Sequence, residues 1–234
     1  EEARPAPQPP DLELLRQLQE NAARTYPYQE TVEIPAKVAA SKLAAERAGE
    51  EEITLSRPAW LGEQGMTPAE RGTALHAFMQ FADFSAFQKD PEGERRRLVD
   101  MALLTPEQGE AVDLRRVERF LESDLGQRVL RSSQVEKERR FTAVIPASLA
   151  QPGAGDGEDV ILQGAVDCTF VEDGKLYVID FKTDRVREME ELWARYEAQL
   201  QLYGFAMEAV TGLPVGGLYL YSTWLNRESS RPRK

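Results

Sequence analysis

The stretch VILQGAVDCTFVEDGKLYVIDFKTD, residues 160–184, contains two strands and the turn between them, and it sets the centre of the fold. Its two apolar segments are rich in β-branched and aromatic side chains, which favours strands. The dipeptide Asp173-Gly174 that separates them is typical of a two-residue hairpin turn. Such a turn pairs Glu172 with Lys175. The sequence therefore predicts an antiparallel hairpin whose register is fixed at the turn.

This register brings two carboxylates together. Asp167 and Asp180 would face each other on neighbouring strands, about 5 Å apart at Cβ, and Lys182 would emerge on the same face as Asp180. Two like charges facing each other in an apolar hairpin are unfavourable unless a positive charge lies between them. A divalent metal ion would supply that charge, since Mg²⁺ prefers carboxylate oxygens as ligands. The alternative is a salt-bridged cluster of the two aspartates with Lys182, without a metal.

A well-marked helix precedes the hairpin in the chain. Thr67-Pro68 supplies an N-cap and a proline in the first turn, and Glu70 completes a capping box. This helix carries the only histidine, His76, in a position where Gly72 would permit close approach to another element. We therefore treat His76 as a candidate metal ligand, with an ordinary packing or surface role as the alternative.

The remaining segments complete a mixture of helices and strands. Residues 90–131 are charged and helical in pattern, residues 190–211 predict a long helix, and residues 217–222 predict a further strand. A proline-rich start is followed by a short amphipathic helix within residues 11–24.

We expect three parts along the chain. Residues 1–25 would be an arm or linker with a short helix, residues 26–226 one domain, and residues 227–234 a flexible tail. The proline-rich start and the missing initiator methionine suggest a piece of a longer protein.

The composition restricts the function. With 234 residues, of which 41% are hydrophobic, the chain can form a substantial core. A formal net charge of −11 disfavours a nucleic-acid partner without excluding one, because binding needs only a local basic patch. No apolar run is long enough to span a bilayer. The single cysteine, Cys168, excludes an internal disulfide and any cluster that needs four thiolates.

Taken together, the motifs resemble the PD-(D/E)XK nuclease superfamily, and more narrowly the RecB-like nuclease domains of helicase–nucleases. The resemblance rests on four motifs in a fixed order, Gly72-Thr73-x-x-His76, Gly164-x-x-Asp167, Asp180-x-Lys182 and Gln199-x-x-x-Tyr203. VIDFKTD (178–184) and QLQLYGFAME (199–208) are similar to signature strings of that branch. KVAASKLAAE (37–46) is similar to the segment that leads into the nuclease domain of AddA, one of the subunits of the AddAB helicase–nuclease.

The resemblance implies an α/β fold of the restriction-endonuclease type, in which helices flank a central mixed β-sheet, with helical N-terminal additions. It implies that His76, Asp167 and Asp180 bind the metal, helped by the backbone carbonyl of Phe181. Lys182 would be a catalytic residue that positions or activates the attacking water.

Four further positions follow from the resemblance and from charge. Gln199 and Tyr203 would line the catalytic site and touch DNA or Lys182, and Arg185 is a candidate contact to a DNA phosphate. Glu138 in VEKERRF resembles the glutamate of the E-x-P-F segment of the family, but Arg140 stands where that segment usually has proline. Glu138 is therefore either a further metal ligand or a solvated charge.

The implied function is Mg²⁺-dependent hydrolysis of DNA, with Mn²⁺ as a possible substitute, by the exonuclease module of an ATP-dependent helicase–nuclease. Such an enzyme acts in double-strand break repair and recombination in the bacterial cytoplasm. The implied partners are single-stranded or unwound DNA, the helicase portion of the same polypeptide and a second, AddB-like protein, with no membrane.

ATP would act only through the helicase portion, because this chain has no G-x-x-x-x-G-K-[ST] loop. The iron–sulfur cluster of AddB and of CRISPR-associated relatives is not expected, because it needs four cysteines. The alternatives are a stand-alone exonuclease of the superfamily and a non-catalytic DNA-binding or docking module of the same fold.

Overall fold

The computed structural model describes residues 12–22, 35–43, 66–150 and 157–234. The elements, in chain order, are α1 (Leu12–Ala22), β1 (Lys37–Ala39), α2 (Pro68–Phe81), α3 (Phe84–Lys89), α4 (Pro91–Asp100), α5 (Pro106–Ala111), α6 (Leu114–Glu122), α7 (Asp124–Arg131), β2 (Val135–Pro146), α8 (Ala147–Ala150), β3 (Asp159–Glu172), β4 (Lys175–Lys182), α9 (Met189–Thr211), β5 (Val215–Ser222) and β6 (Arg227–Arg231).

The hairpin between β3 and β4 has the register expected from its turn. The strands are antiparallel and pair from Glu172 with Lys175 up to Cys168 with Ile179. The two turn residues have φ angles of 51° and 72°, and both angles lie in the left-handed region that a type I′ turn requires. The predicted hairpin is therefore confirmed over these pairs.

Strand β3 lies at the centre of a mixed sheet. One edge of β3 pairs with β2 along almost its whole length. The other edge pairs with β1 in parallel as far as Gln163 and with β4 in antiparallel from Cys168 onward. Within the described residues, 164–167 therefore have no strand partner on that edge. On the far side of β4 the sheet continues through β5, in parallel, and β6, in antiparallel.

A local irregularity separates the two halves of β3. The ladder with β2 is interrupted where Glu138 and Asp167 face each other, and Glu138 has a φ of 47°. Val166 packs into the core on one face of the sheet, whereas Cys168 packs into the core on the other. Residues two apart in a regular strand point to the same face, so the side-chain alternation changes at Asp167. The expectation that Asp167 pairs directly with Asp180 is corrected, since the ladder with β4 stops one residue earlier.

Helices cover both faces of the sheet. Helix α9 packs on one face through side chains such as Leu192 and Leu200, and α2 to α7 pack on the other through side chains such as Phe78 and Phe120. This arrangement confirms the expected α/β architecture. In the part of the chain that the structure describes, no helix combines the length and the apolar character needed to cross a membrane.

Of the predictions for the two ends of the chain, the helix near the start is confirmed and the flexible tail is not. Helix α1 confirms the predicted short helix of the arm. Residues 227–231, expected to belong to a flexible tail, instead form β6 and pair with the edge of β5. The backbone groups at that edge provide hydrogen-bonding partners that the polar side chains of the segment do not reveal. The ion pairs of Glu197 with Arg231 and Lys234 hold the segment against α9.

Candidate active site

The predicted site residues from α2, β3 and β4 meet at one place. Nδ1 of His76 lies 3.5 Å from Oδ2 of Asp167. Nζ of Lys182 lies 2.7 Å from Oδ2 of Asp180. Helix α2 and the hairpin are far apart in sequence, so only the folded chain brings His76 to the aspartates.

The position of His76 follows from how α2 begins and packs. Thr67 and Glu70 form the predicted capping box, in which each side chain accepts a hydrogen bond from the backbone N–H of the other residue. One turn before His76, a Cβ on Gly72 would lie 2.8 Å from Oγ1 of Thr183. A side chain at this position would require the Thr183 side chain or α2 itself to move. Gly72 therefore allows the close approach that places His76 beside the hairpin.

Asp167 is held by the gap at the edge of β3. Its Oδ2 accepts a hydrogen bond of 2.8 Å from the backbone N–H of Phe181, in place of a ladder partner. Burial raises the pKa of Asp167 to about 8, and repulsion from Asp180 adds to the effect. The ionised form of Asp167 is thus unfavourable in the site as it stands, and a bound cation would stabilise it.

The pKa values of His76 and Lys182 are shifted in opposite directions. Burial lowers the pKa of the His76 imidazole, so the ring is neutral near pH 7 and can act as a ligand. Burial would also lower the pKa of Lys182, but attraction to Asp180 outweighs it, and the pKa is raised. Lys182 is therefore a charged ammonium group.

A chain of hydrogen bonds from α9 fixes Lys182. Its Nζ donates to Oε1 of Gln199 over 3.3 Å, and Nε2 of Gln199 donates to the Tyr203 hydroxyl over 2.8 Å. Burial raises the pKa of Tyr203, which keeps the hydroxyl neutral. The structure thus brings Gln199 and Tyr203 together with Lys182, while their contact with DNA stays a prediction.

Gly164 supports this chain of hydrogen bonds indirectly, through Phe141. A Cβ on Gly164 would lie 2.6 Å from Cζ of Phe141, so the absence of a side chain makes room for the ring. Phe141 in turn packs edge-on against Tyr203, with ring centroids 5.7 Å apart. The glycine of the Gly164-x-x-Asp167 motif therefore positions the aromatic ring that supports Tyr203.

Tyr196, which contacts Lys182, and Asp184, which holds Tyr196, were not predicted as site residues from the sequence. Nζ of Lys182 lies 3.8 Å from the ring centroid of Tyr196, a favourable cation–π distance. The Tyr196 hydroxyl donates to Oδ1 of Asp184 over 3.1 Å, and Arg195 pairs with the same oxygen over 3.2 Å. Asp184 is the last residue of VIDFKTD, so its place in that string was the available signal. Nothing in the sequence marked Tyr196.

The structure places Glu138 directly across from Asp167, at the irregularity of the sheet. Its charge contributes to the raised pKa of Asp167. A glutamate with a φ of 47° is uncommon, because this backbone region is strained for residues that have a Cβ. The strained backbone and the proximity to Asp167 favour the interpretation of Glu138 as a member of the site.

Replacing Glu138 separates its backbone role from its carboxylate. We expect Glu138→Gly to be more stable than Glu138→Ala by about 1 kcal/mol, because glycine adopts a positive φ without strain. Both variants should bind a divalent metal about tenfold more weakly than the wild type. Urea unfolding and calorimetry measure the two effects. If the glycine variant binds metal as the wild type does, Glu138 serves only the bend in the strand.

Arg185 lies outside this cluster. Its side chain is exposed, and its guanidinium carbon lies 4.9 Å from the ring centroid of Trp224. The predicted contact of Arg185 with a DNA phosphate therefore belongs to a neighbouring surface, next to the cluster rather than within it.

The donor set fits a hard divalent cation, although its present arrangement is not a coordination sphere. Within the described ranges, no three His, Cys, Asp or Glu side chains converge as metal ligands do. Asp180 is only 3% exposed, and its Oδ2 contacts Lys182 as an ion pair without a well-aligned hydrogen bond. Two carboxylates and a neutral imidazole are nevertheless suitable ligands for such an ion.

Comparison with known proteins agrees with this geometry. Residues 47–229 match the PD-(D/E)XK nuclease superfamily, so the chain belongs to that superfamily. The chain is 35% identical over 221 residues to an ATP-dependent helicase/nuclease protein of the AddA type from Acetivibrio thermocellus, a match that covers 87% of this chain. It is 32% identical to the corresponding protein from Bacillus velezensis, over 84% of the chain. The predicted family and its helicase–nuclease branch are thus confirmed.

These matches cover most of this chain but only a small part of each relative. The chain spans only 18% of the length of either relative. A solved structure titled "Crystal structure of SSO0001" aligns with 94% of this chain and 74% of its own, at 15% identity and a TM-score of 0.33. The assignment to the superfamily therefore rests on the sequence matches.

Proposed function

We propose that this chain is the Mg²⁺-dependent nuclease module of an ATP-dependent helicase–nuclease and that it hydrolyses phosphodiester bonds of DNA. The observation that carries the proposal is the meeting of His76 with Asp167 beside the Asp180–Lys182 pair. These residues come from three separate elements, and two carboxyl groups beside an imidazole suit a divalent cation.

The proposed roles follow from the contacts of each side chain. His76, Asp167 and Asp180 would hold the ion, together with the Phe181 carbonyl. When bound, Mg²⁺ neutralises charge on the scissile phosphate and lowers the pKa of a bound water.

The neighbouring residues would act on the phosphate and the attacking water. Lys182 is charged, so it would orient the phosphate or the water and stabilise negative charge, and it would not act as a base. Gln199 would keep the ammonium group in place, and Tyr203 would keep the Gln199 amide in place.

The wider biological setting is part of the same proposal. The chain would act on single-stranded or unwound DNA in the bacterial cytoplasm, during double-strand break repair and recombination. A helicase portion of the same polypeptide would consume ATP and supply the strand, and a second, AddB-like protein would complete the enzyme. The support for this setting is the similarity to the ATP-dependent helicase/nuclease proteins.

A metal-binding and cleavage experiment tests the proposal. We expect calorimetry to detect binding of Mg²⁺ and Mn²⁺, and labelled DNA to be cut with either ion but not in EDTA. His76→Ala should weaken metal binding at least about tenfold, because it removes one ligand. Gln80→Ala, one turn further along α2, is the matched control and should bind metal normally.

The opposite result favours the second candidate, a non-catalytic DNA-binding or docking module. The Asp180–Lys182 ion pair supports that candidate, since it neutralises one carboxylate without a metal. If the wild type binds neither ion and leaves DNA intact, the nuclease proposal is wrong.

A further inference from the structure

A basic cleft lies next to the cluster of candidate ligands. It encloses about 190 Å³ between the start of α2, the start of α6 and the segments that follow β4 and β5. Its lining includes Arg71, Arg116, Arg185 and Trp224. We call this feature the Arg–Trp cleft.

Among the residues that the structure describes, little compensates the positive charge of the cleft. Arg116 pairs with Asp113 over 3.5 Å, but the Asp113 side chain is 54% exposed, and such surface pairs contribute little. Arg71 donates through Nε to the backbone carbonyl of Met66 over 3.1 Å. Neither Arg71 nor Arg185 has an ion-pair partner among the described residues. In a chain with a net charge of −11, this local excess of guanidinium groups requires an explanation.

Trp224 organises two of these arginines. The guanidinium carbons of Arg116 and Arg185 lie 5.7 Å and 4.9 Å from its ring centroid. A guanidinium that packs against an aromatic ring still has several N–H groups with which to bind an anion. The Trp224 side chain also remains exposed, with 40% of the residue accessible.

The cleft shares a wall with the proposed catalytic site. Gly72 and Thr183 both line it. Gly72 lies one turn before His76, and Thr183 directly follows Lys182. A strand whose phosphate lies at Lys182 would therefore pass this wall and enter the cleft.

We propose that the Arg–Trp cleft binds the sugar–phosphate backbone of a single-stranded nucleic acid next to the scissile phosphate. The arginines hold a phosphate, and the exposed part of Trp224 contacts the adjoining base or sugar. This inference rests on the proposed nuclease function, because it assigns the path of the substrate strand.

Binding measured without cleavage tests the cleft. Fluorescence anisotropy would follow a labelled single-stranded thymidine oligonucleotide in EDTA, at several salt concentrations. We expect Arg71→Gln and Arg185→Gln each to weaken binding about threefold to tenfold and to reduce the salt slope by about one. Trp224→Ala should weaken binding about tenfold. Arg119→Gln is the matched control, since Arg119 lies on α6 but not in the cleft, and it should bind normally.

A conservative variant at Trp224 controls for loss of folding in Trp224→Ala. Trp224→Phe keeps an aromatic ring, so it should bind within about threefold of the wild type. In a background that also carries Trp60→Phe, it should lose any quenching of tryptophan fluorescence by the oligonucleotide, because Trp193, the tryptophan that then remains, is buried.

The outcomes separate this inference from the nuclease proposal. Two results would overturn the proposed role of the cleft. In the first, all the cleft variants bind the oligonucleotide with the affinity and salt slope of the wild type. In the second, the wild type itself does not bind the oligonucleotide. If the wild type cuts DNA with Mg²⁺ while the cleft variants bind and cut normally, only the cleft is wrong. If nothing is cut but the cleft variants bind weakly, the cleft stands and the nuclease proposal fails.

Discussion

Replacing Lys182 with glutamine will lower Mg²⁺-dependent DNA cleavage by at least about a thousandfold. The side chain is a charged ammonium group held 2.7 Å from Asp180, on the ring of Tyr196 and in hydrogen-bond contact with Gln199. Such restraint indicates a group whose position matters, because an exposed lysine at a protein surface is free to rotate. Cleavage of labelled DNA under single-turnover conditions measures the loss.

Loss of folding must be separated from loss of catalysis. Removing Lys182 alone leaves the buried Asp180 carboxylate without its cation, which is destabilising. The double variant Asp180→Asn with Lys182→Gln removes both charges, so it should fold yet remain inactive. Lys175→Ala, at the exposed start of the same strand, is the control and should cut normally. Cleavage at the wild-type rate by a folded Lys182→Gln protein would exclude the site.

Replacing Asp167 with asparagine will stabilise the metal-free protein at alkaline pH while abolishing metal-dependent cleavage. Burial, followed by repulsion from Asp180, raises the pKa of Asp167 from 3.8 to about 8. Between these pH values the folded protein retains a proton that the unfolded chain has released. The free energy of unfolding of the wild type therefore falls as pH rises through this window.

The asparagine variant lacks this titration and can still accept the hydrogen bond from Phe181. We expect its free energy of unfolding to exceed that of the wild type by on the order of 1–3 kcal/mol at pH 8.5 in EDTA. This difference should vanish towards pH 4. Saturating Mg²⁺ should stabilise the wild type through binding but not the variant. Urea unfolding at several pH values measures both effects.

The control for this second experiment is Asp159→Asn, at the exposed start of β3. It should follow the wild type at every pH. A variant at Asp167 that is less stable than the wild type at pH 8.5 in EDTA would show that the carboxylate is favourable without a metal. The cluster would then be a structural ion-pair network, as in the second candidate function.

Gain of stability and loss of activity in one variant would connect the site to its function. A carboxylate that destabilises the empty fold is retained only where it performs a task. The same argument does not apply to Asp184, which is partly exposed and holds Tyr196 under Lys182. Asp184 is a positioning residue in the proposed site.

The amino-acid sequence was sufficient for those features that depend on residues close together in the chain. The turn at Asp173-Gly174 set the hairpin, because two residues that tolerate positive φ impose the register of the strands that they join. The capping box at Thr67 set where α2 begins. The order of the four motifs identified the superfamily and selected His76, Lys182 and the two aspartates.

How the strands share edges became visible only in the folded chain. Strands β1 and β4 share one edge of β3, and no other described strand pairs with residues 164–167 there. Asp167 therefore turns to the backbone of Phe181 instead of pairing with Asp180. The contact of Arg185 with Trp224 likewise joins segments that are distant in the sequence. Such pairings depend on which backbone groups remain unsatisfied after the rest of the chain has folded, and no local pattern records that.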